Sequence, residues 1–152
     1  NDSWADVHLG LSCATAAEGN IEGCITESSK LLSILKLPGG VVLNNISDLA
    51  RLYLLMGSKL RDDGRRAEAL LALQTASLLN PHCSGTHKNL ASIFEQSGEY
   101  ERALRCYEKA LLAAPSDGET FSLMSRCYER MGAQEAAVLC RRKAEELALS
   151  YH

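Results

Sequence analysis

Aromatic side chains make up only 5% of this 152-residue chain, with one Trp and two Phe among them. A β-sandwich, which draws on aromatic and β-branched strands, is not expected from so few. The 46% hydrophobic content rests largely on alanine and leucine, which suits closely packed helices. The length allows one compact core or a short array of repeats. No apolar run reaches the ~18 residues of a membrane span, and no charged stretch leading into an apolar one marks a secretory signal. Membrane insertion is therefore not expected. The net charge of −3 gives no general attraction to phosphate backbones or anionic lipid, which leaves nucleic acid outside the expected partners.

Catalytic patterns are missing too. There is no Gly-rich phosphate loop, H-E-x-x-H, G-x-S-x-G or paired-glycine dinucleotide motif. Gly39-Gly40 lies between Pro38 and Val41 and reads as linker. His82, Cys83 and His87 lie close together, with Cys83 and His87 four apart at a helix start, but no fourth ligand stands at a recognised zinc spacing. Nor do they form a nucleophile with an oriented base and oxyanion donors. No enzyme activity, metal or cofactor is expected. The run 61–66 mixes signs across a turn, and Arg141-Arg142-Lys143 is offset by Glu145 and Glu146.

Cysteine is plentiful, but Cys13, Cys24, Cys83, Cys106, Cys127 and Cys140 include no C-x-x-C pair. They read as small apolar groups or free thiols of a reducing compartment, which predicts an intracellular, cytoplasmic protein. Because the chain begins at Asn1 and not at Met, it reads as an excised piece.

What the chain does have is a period. Gly64, Gly98 and Gly132 recur every 34 residues, as do Ala69, Ala103 and Ala137, then Ala76, Ala110 and Ala144, with Pro81 and Pro115 at the same interval. Register on this period gives repeats at 50–83, 84–117 and 118–151, each of two helices. In the middle repeat Leu90, Ala91 and Phe94 mark a first helix, Gly98 the turn, and Ala103, Tyr107 and Ala110 a second helix before Pro115. Small residues Gly57, Ala91 and Ser125 recur where helices must approach closely.

The pattern resembles the tetratricopeptide repeat, whose signature sets bulky, small and aromatic residues at these places and ends on proline. The likeness covers about two thirds of the chain, by register on that period. His87 departs from it where the family prefers tryptophan; Tyr53 and Phe121 fill the equivalent places. Arg141 stands where Tyr107 stood and Leu149 where the proline stood, which predicts a last helix partly facing solvent. The fold implied is an all-α solenoid of stacked antiparallel helix pairs.

Upstream, residues 1–37 read as a divergent helical hairpin or cap, with a lone docking hairpin as the alternative. Ser3 and Asp6 have capping spacing, Gly19-Asn20 makes the turn, and Leu31, Leu32 and Leu35 supply an apolar stripe. A linker at 38–46 follows, and Asn45 and Asp48 repeat the capping spacing.

The family geometry implies a concave groove lined by the first helices. Carried onto this chain, it would present Arg51, Leu54, Leu55, Ser58 and Arg61, then Lys88, Asn89, Ser92 and Gln96, then Ser122, Leu123, Arg126 and Arg130. This mixed set with a basic bias suits an extended or acidic segment of a partner protein. A chaperone C-terminal tail is not expected, because Leu54, Ser58, Glu119 and Leu123 replace the clamp residues some family members use. The role implied is an adaptor or scaffold. A second reading is a structural subunit that assembles with itself or a larger complex through its ends, where Leu147, Leu149 and Tyr151 remain to be covered.

Overall fold

The computed structural model describes residues 2–35 and 46–150, with backbone alone at 2–7, 21 and 31–35. Apart from Ile46, the linker expected at 38–46 lies outside the described residues, as do Tyr151 and the side chains of the Leu31, Leu32 and Leu35 stripe. Eight helices make up the regular structure of the described residues: α1 (Asp2–Ala17), α2 (Ile21–Leu35), α3 (Ile46–Asp62), α4 (Arg66–Leu79), α5 (Ser84–Gln96), α6 (Tyr100–Ala113), α7 (Gly118–Arg130) and α8 (Gln134–Ser150). They pack as consecutive pairs, an all-α fold of antiparallel hairpins. None of the described helices is long and apolar enough to cross a membrane.

One turn device closes all four hairpins. Gly98 has φ 74°, a left-handed conformation that a Cβ disfavours. This lets the Gly98 amide reach the Glu95 carbonyl at 3.0 Å and the Glu99 amide reach the Phe94 carbonyl at 2.9 Å. That pair of bonds satisfies two carbonyls left over at the end of α5 and reverses the chain. The same two bonds, on the same positive φ, recur at Gly64, at Gly132 and also at Gly19. The N-terminal pair therefore shares the repeat's turn although it lies off the 34-residue register. α1 starts at Asp2, so Ser3 lies inside the helix and not ahead of it, which corrects the cap expected there.

The chain divides into two compact units, Asn1–Pro81 and His82–His152. In the first, Leu49, Leu52, Tyr53 and Met56 of α3 pack with Ala72 and Ala76 of α4 and with Leu9, Cys13, Ala16 and Cys24 of the N-terminal pair. α1 docks chiefly on α4, while α2 touches α3 lightly. The α3–α4 approach requires the small residue at 57, because a Cβ on Gly57 would lie 2.5 Å from Cγ of Leu73. A polar cluster seals the contact with the N-terminal pair: the buried hydroxyls of Ser12, Ser28 and Tyr53 hydrogen-bond to one another, with the Cys24 thiol beside them.

In the second unit the order differs, and α6 packs on α7. Leu90, Ala91, Ile93 and Phe94 of α5 meet Ala103, Leu104, Tyr107 and Ala110 of α6, and Met124, Ser125 and Cys127 of α7 complete the interior. His87 is buried at the place of the family's large residue. On α8 only Ala137 is buried among the described residues, Arg141 pairs with Glu129, and Leu139 and Leu149 are 62% and 74% exposed. The last helix therefore faces solvent along much of its length, because Arg141 replaces the aromatic that would bind it inward.

Candidate functional site

The thirteen first-helix positions expected to meet a partner divide between the units, and none of them is buried. On α3, Arg51 and Leu55 are exposed and Leu54, Ser58 and Arg61 are half-buried. Leu54 leans on the core of the first unit. Arg61 is held by its neighbour Asp62, with Nε and Nη2 donating to Oδ1 at 3.0 and 2.7 Å.

In the second unit two of the expected cations are bound to the protein's own carboxylates. Lys88 Nζ donates to Asp117 Oδ2 at 3.1 Å and to Glu119 Oε2 at 2.7 Å. Burial works against the Lys88 ammonium, but the bonds to Glu119 and Asp117 outweigh it and raise its pKa above the ordinary value. Asn89 donates to the Gly85 carbonyl at 2.9 Å and Ser122 to the Gly118 carbonyl at 3.2 Å, bonds within their own helices. Leu123 is half-buried. The basic bias of the sequence is thus weaker in the folded chain than a count of residues suggests.

Farther along α5 and α7 the structure brings four of the expected residues to one cleft. Ser92 and Gln96 of α5 and Arg126 and Arg130 of α7 line a space of about 320 Å³, together with Glu95 and Tyr100. Glu95 is its electrostatic centre. Its Oε1 accepts from Arg126 Nε at 2.5 Å, and its Oε2 accepts from Arg126 Nη2 at 3.0 Å and from the Tyr107 hydroxyl at 3.0 Å. Such a two-pronged pair orients the guanidinium. Burial and then the Glu95 charge push the Tyr107 phenol above its ordinary pKa, so it stays a donor.

Glu95 and Tyr100 were absent from the set read off the sequence. Glu95 stands one period after Arg61 and one before Glu129, so the repeat register points to it. Tyr100 follows a turn and matches Arg66 and Gln134, which gives no signal.

Burial pushes the Cys13, Cys106 and Cys140 thiols up, and burial with the Glu95 charge raises Cys127 to about 11, which keeps them protonated and weakly nucleophilic at neutral pH. His82 is exposed and His87 buried. No group of three His, Cys, Asp or Glu among the described residues is placed to hold a metal ion.

Residues 85–117 match the family model described as tetratricopeptide repeat. No curated protein matches the chain. Among solved structures, a crystal structure of MamA aligns with a TM-score of 0.68 at 22% identity over 97% of this chain and 80% of its own. A second MamA structure aligns at 0.63 and 20% identity, over 97% of this chain and 93% of that one. MamA from residue 41 to its end, from Desulfovibrio magneticus RS-1, aligns at 0.61 and 19% identity, over 95% and 75%. At such identities the likeness is one of fold. The match at 85–117 makes that stretch one tetratricopeptide repeat, and the fold of the described residues, helix pairs closed by the same glycine turn, is like that of the MamA structures.

Proposed function

We propose that the protein is an interaction scaffold, without catalytic role, that binds an extended segment of a partner protein along the exposed faces of its first helices. The observation that carries this reading is the contrast along α5 and α7. Thr86, Leu90, Ile93 and Phe94 of α5 and Thr120, Met124 and Cys127 of α7 are buried. The positions between them carry Lys88, Ser92, Gln96, Ser122, Arg126 and Arg130 at the surface. Helical repeats of this kind use such faces for binding. The mixture of cations and amides suits an acidic segment whose main-chain groups lack partners. All six cysteines are free, which supports work in a reducing, cytoplasmic setting.

The test is quantitative affinity capture from cell extract with the wild type and with a variant carrying Arg51→Glu, Gln96→Glu and Arg130→Glu, surface changes away from the paired Lys88 and Arg126. Partners held by these faces are expected to fall in recovery by about tenfold, the usual scale for a lost interface cation, with the helical circular dichroism kept. Equal recovery of every partner would count against binding at these faces.

A second reading, self-assembly through the last helix, rests on Leu139 and Leu149, which are 62% and 74% exposed on α8. Scattered apolar residues are common on monomers, so mass against concentration decides: a monomer at high concentration removes it.

A further inference from the structure

The cleft between the ends of α5 and α7 carries an inference more specific than the scaffold reading on which it rests. Of its charged groups, Glu95 is satisfied: it accepts the Arg126 guanidinium twice and the Tyr107 hydroxyl once. Its negative charge is therefore balanced by Arg126. Arg130, one turn farther along α7, has no acidic partner among the described residues, and it lines the same space with Ser92, Gln96 and Tyr100. The cleft thus holds one uncompensated positive charge, flanked by a hydroxyl and an amide able to donate to an anion.

Tyr100 also lines a second hollow of about 360 Å³, together with Gly98, Glu99, Glu101, Arg102 and Met131. Met131 is 42% exposed. Glu99 is taken by Arg102 at 2.6 Å, and Arg102 also stacks 4.0 Å above the Phe94 ring. Glu101 is exposed and would repel a second carboxylate placed here. The two hollows share Tyr100, so a chain in contact with both meets a cation in one and a thioether and aromatic ring, guarded by a carboxylate, in the other.

We propose that this pair of hollows recognises one acidic side chain of an extended partner segment followed by an apolar residue: the carboxylate on Arg130, Gln96 and Ser92, the apolar side chain against Tyr100 and Met131. Arg126 acts as a positioning residue, fixed by Glu95 so that it borders the cleft in one orientation. A run of adjacent acids is disfavoured by Glu101.

The test is a titration of the isotope-labelled full chain with the acetylated, amidated peptide Gly-Ser-Asp-Leu-Ser-Gly, read by amide and arginine Nε–H shifts. Two comparison peptides carry Asn in place of Asp, or Glu in place of Leu. The expected result is shifts at Arg130, Gln96, Tyr100 and Met131, with affinity lower by about tenfold for the Asn peptide and for Arg130→Gln, in line with loss of a charge-assisted pair. The Glu-substituted peptide is expected to bind more weakly than the parent, and Arg142→Gln on α8 to leave binding unchanged. Equal affinity for the Asp and Asn peptides, or undiminished binding by Arg130→Gln, overturns the inference. Shifts confined to Arg51, or to Lys88 and Asn89, overturn this site while leaving the scaffold reading in place; no shift at any first-helix residue also overturns this site, and recovery of partners in the capture experiment decides the scaffold reading separately.

Discussion

Lys88 Nζ lies 3.1 Å from Asp117 Oδ2, so the first helix of one hairpin grips the residue that caps the first helix of the next. Asp117 also accepts from the Glu119 amide at 3.1 Å, the Thr120 amide at 3.4 Å and the Thr120 hydroxyl at 2.8 Å. Burial opposes ionisation, but the bonds from Thr120 and Lys88 outweigh it and lower the carboxyl below the ordinary range. Because the folded pKa is depressed, the stability it contributes is present in full above the unfolded value of about 3.9. It is lost as pH falls through that value and then through the lower folded one. Urea unfolding at pH 7, 4 and 3 is expected to show this loss in the wild type and a shallower one in Asp117→Asn, which keeps the capping oxygen. Asp117→Ala is expected to lose about 1 kcal/mol at pH 7. Equal slopes for the wild type and Asp117→Asn would remove Asp117 from the acid response.

Gly57 and Gly98 are both required, for different reasons. A Cβ at position 57 would meet Leu73 Cγ at 2.5 Å, whereas at position 98, with φ 74°, nothing lies within 4 Å. Gly57→Ala is expected to destabilise by about 1–3 kcal/mol through overpacking, and Gly98→Ala by about 1 kcal/mol through backbone strain alone. Only the first is expected to couple to its neighbour. In a double-mutant cycle, Leu73→Ala makes room for Gly57→Ala, so the pair should cost less than the sum of the singles. Strict additivity would mean that the backbone moves apart instead.

The same contrast shows what the sequence made legible. Gly98 is readable from its recurrence with Gly64 and Gly132, and Leu90, Phe94, Ala103 and Tyr107 from their helical spacing; all four lie inside. That none of the candidate residues lies in the core followed from the same spacing, because positions between buried ones on a helix point outward. Their electrostatic state did not follow. Lys88 meets Asp117 and Glu119, and Arg126 meets Glu95, contacts between residues about thirty apart in sequence whose approach depends on how successive helices pack. The docking of α1 on α4 was illegible for a related reason: residues 2–35 carry the turn but not the period, and without a register no partner face can be assigned.

Thiol reactivity offers a third test, independent of any partner. Cys24 and Cys127 are fully buried and Cys13 nearly so, while Cys83, Cys106 and Cys140 are partly accessible. Cys127 is also raised to about 11 by burial and by Glu95. At pH 7.5 a disulfide reagent, followed by mass spectrometry, is expected to label the partly accessible Cys83, Cys106 and Cys140 in the folded chain, Cys106 and Cys140 slowly because burial raises their thiols, and the buried three only on unfolding. Early labelling of Cys127 would contradict the packing of α7.

Tyr53 presents the sharpest case of a polar group holding two elements together. Its ring is fully buried in the core of the first unit, and its hydroxyl bonds to Ser12 of α1 and to Ser28 of α2. Burial pushes the phenol above its ordinary pKa despite the bonds from Ser12 and Ser28, so it remains protonated and able to donate. Tyr53→Phe keeps the packing and removes the one atom that reaches both helices. Ser12 and Ser28 are 2.6 Å apart and still satisfy each other, so the loss is expected to be about 1 kcal/mol, that of a hydrogen bond and not of orphaned hydroxyls. The effect should be local. Amide exchange is expected to speed up in α1 and α2 while the amides of 82–150 keep their protection, because Tyr53 and its partners belong to the compact unit Asn1–Pro81. Uniform acceleration through α5–α8 would instead mean that the N-terminal pair supports the whole chain.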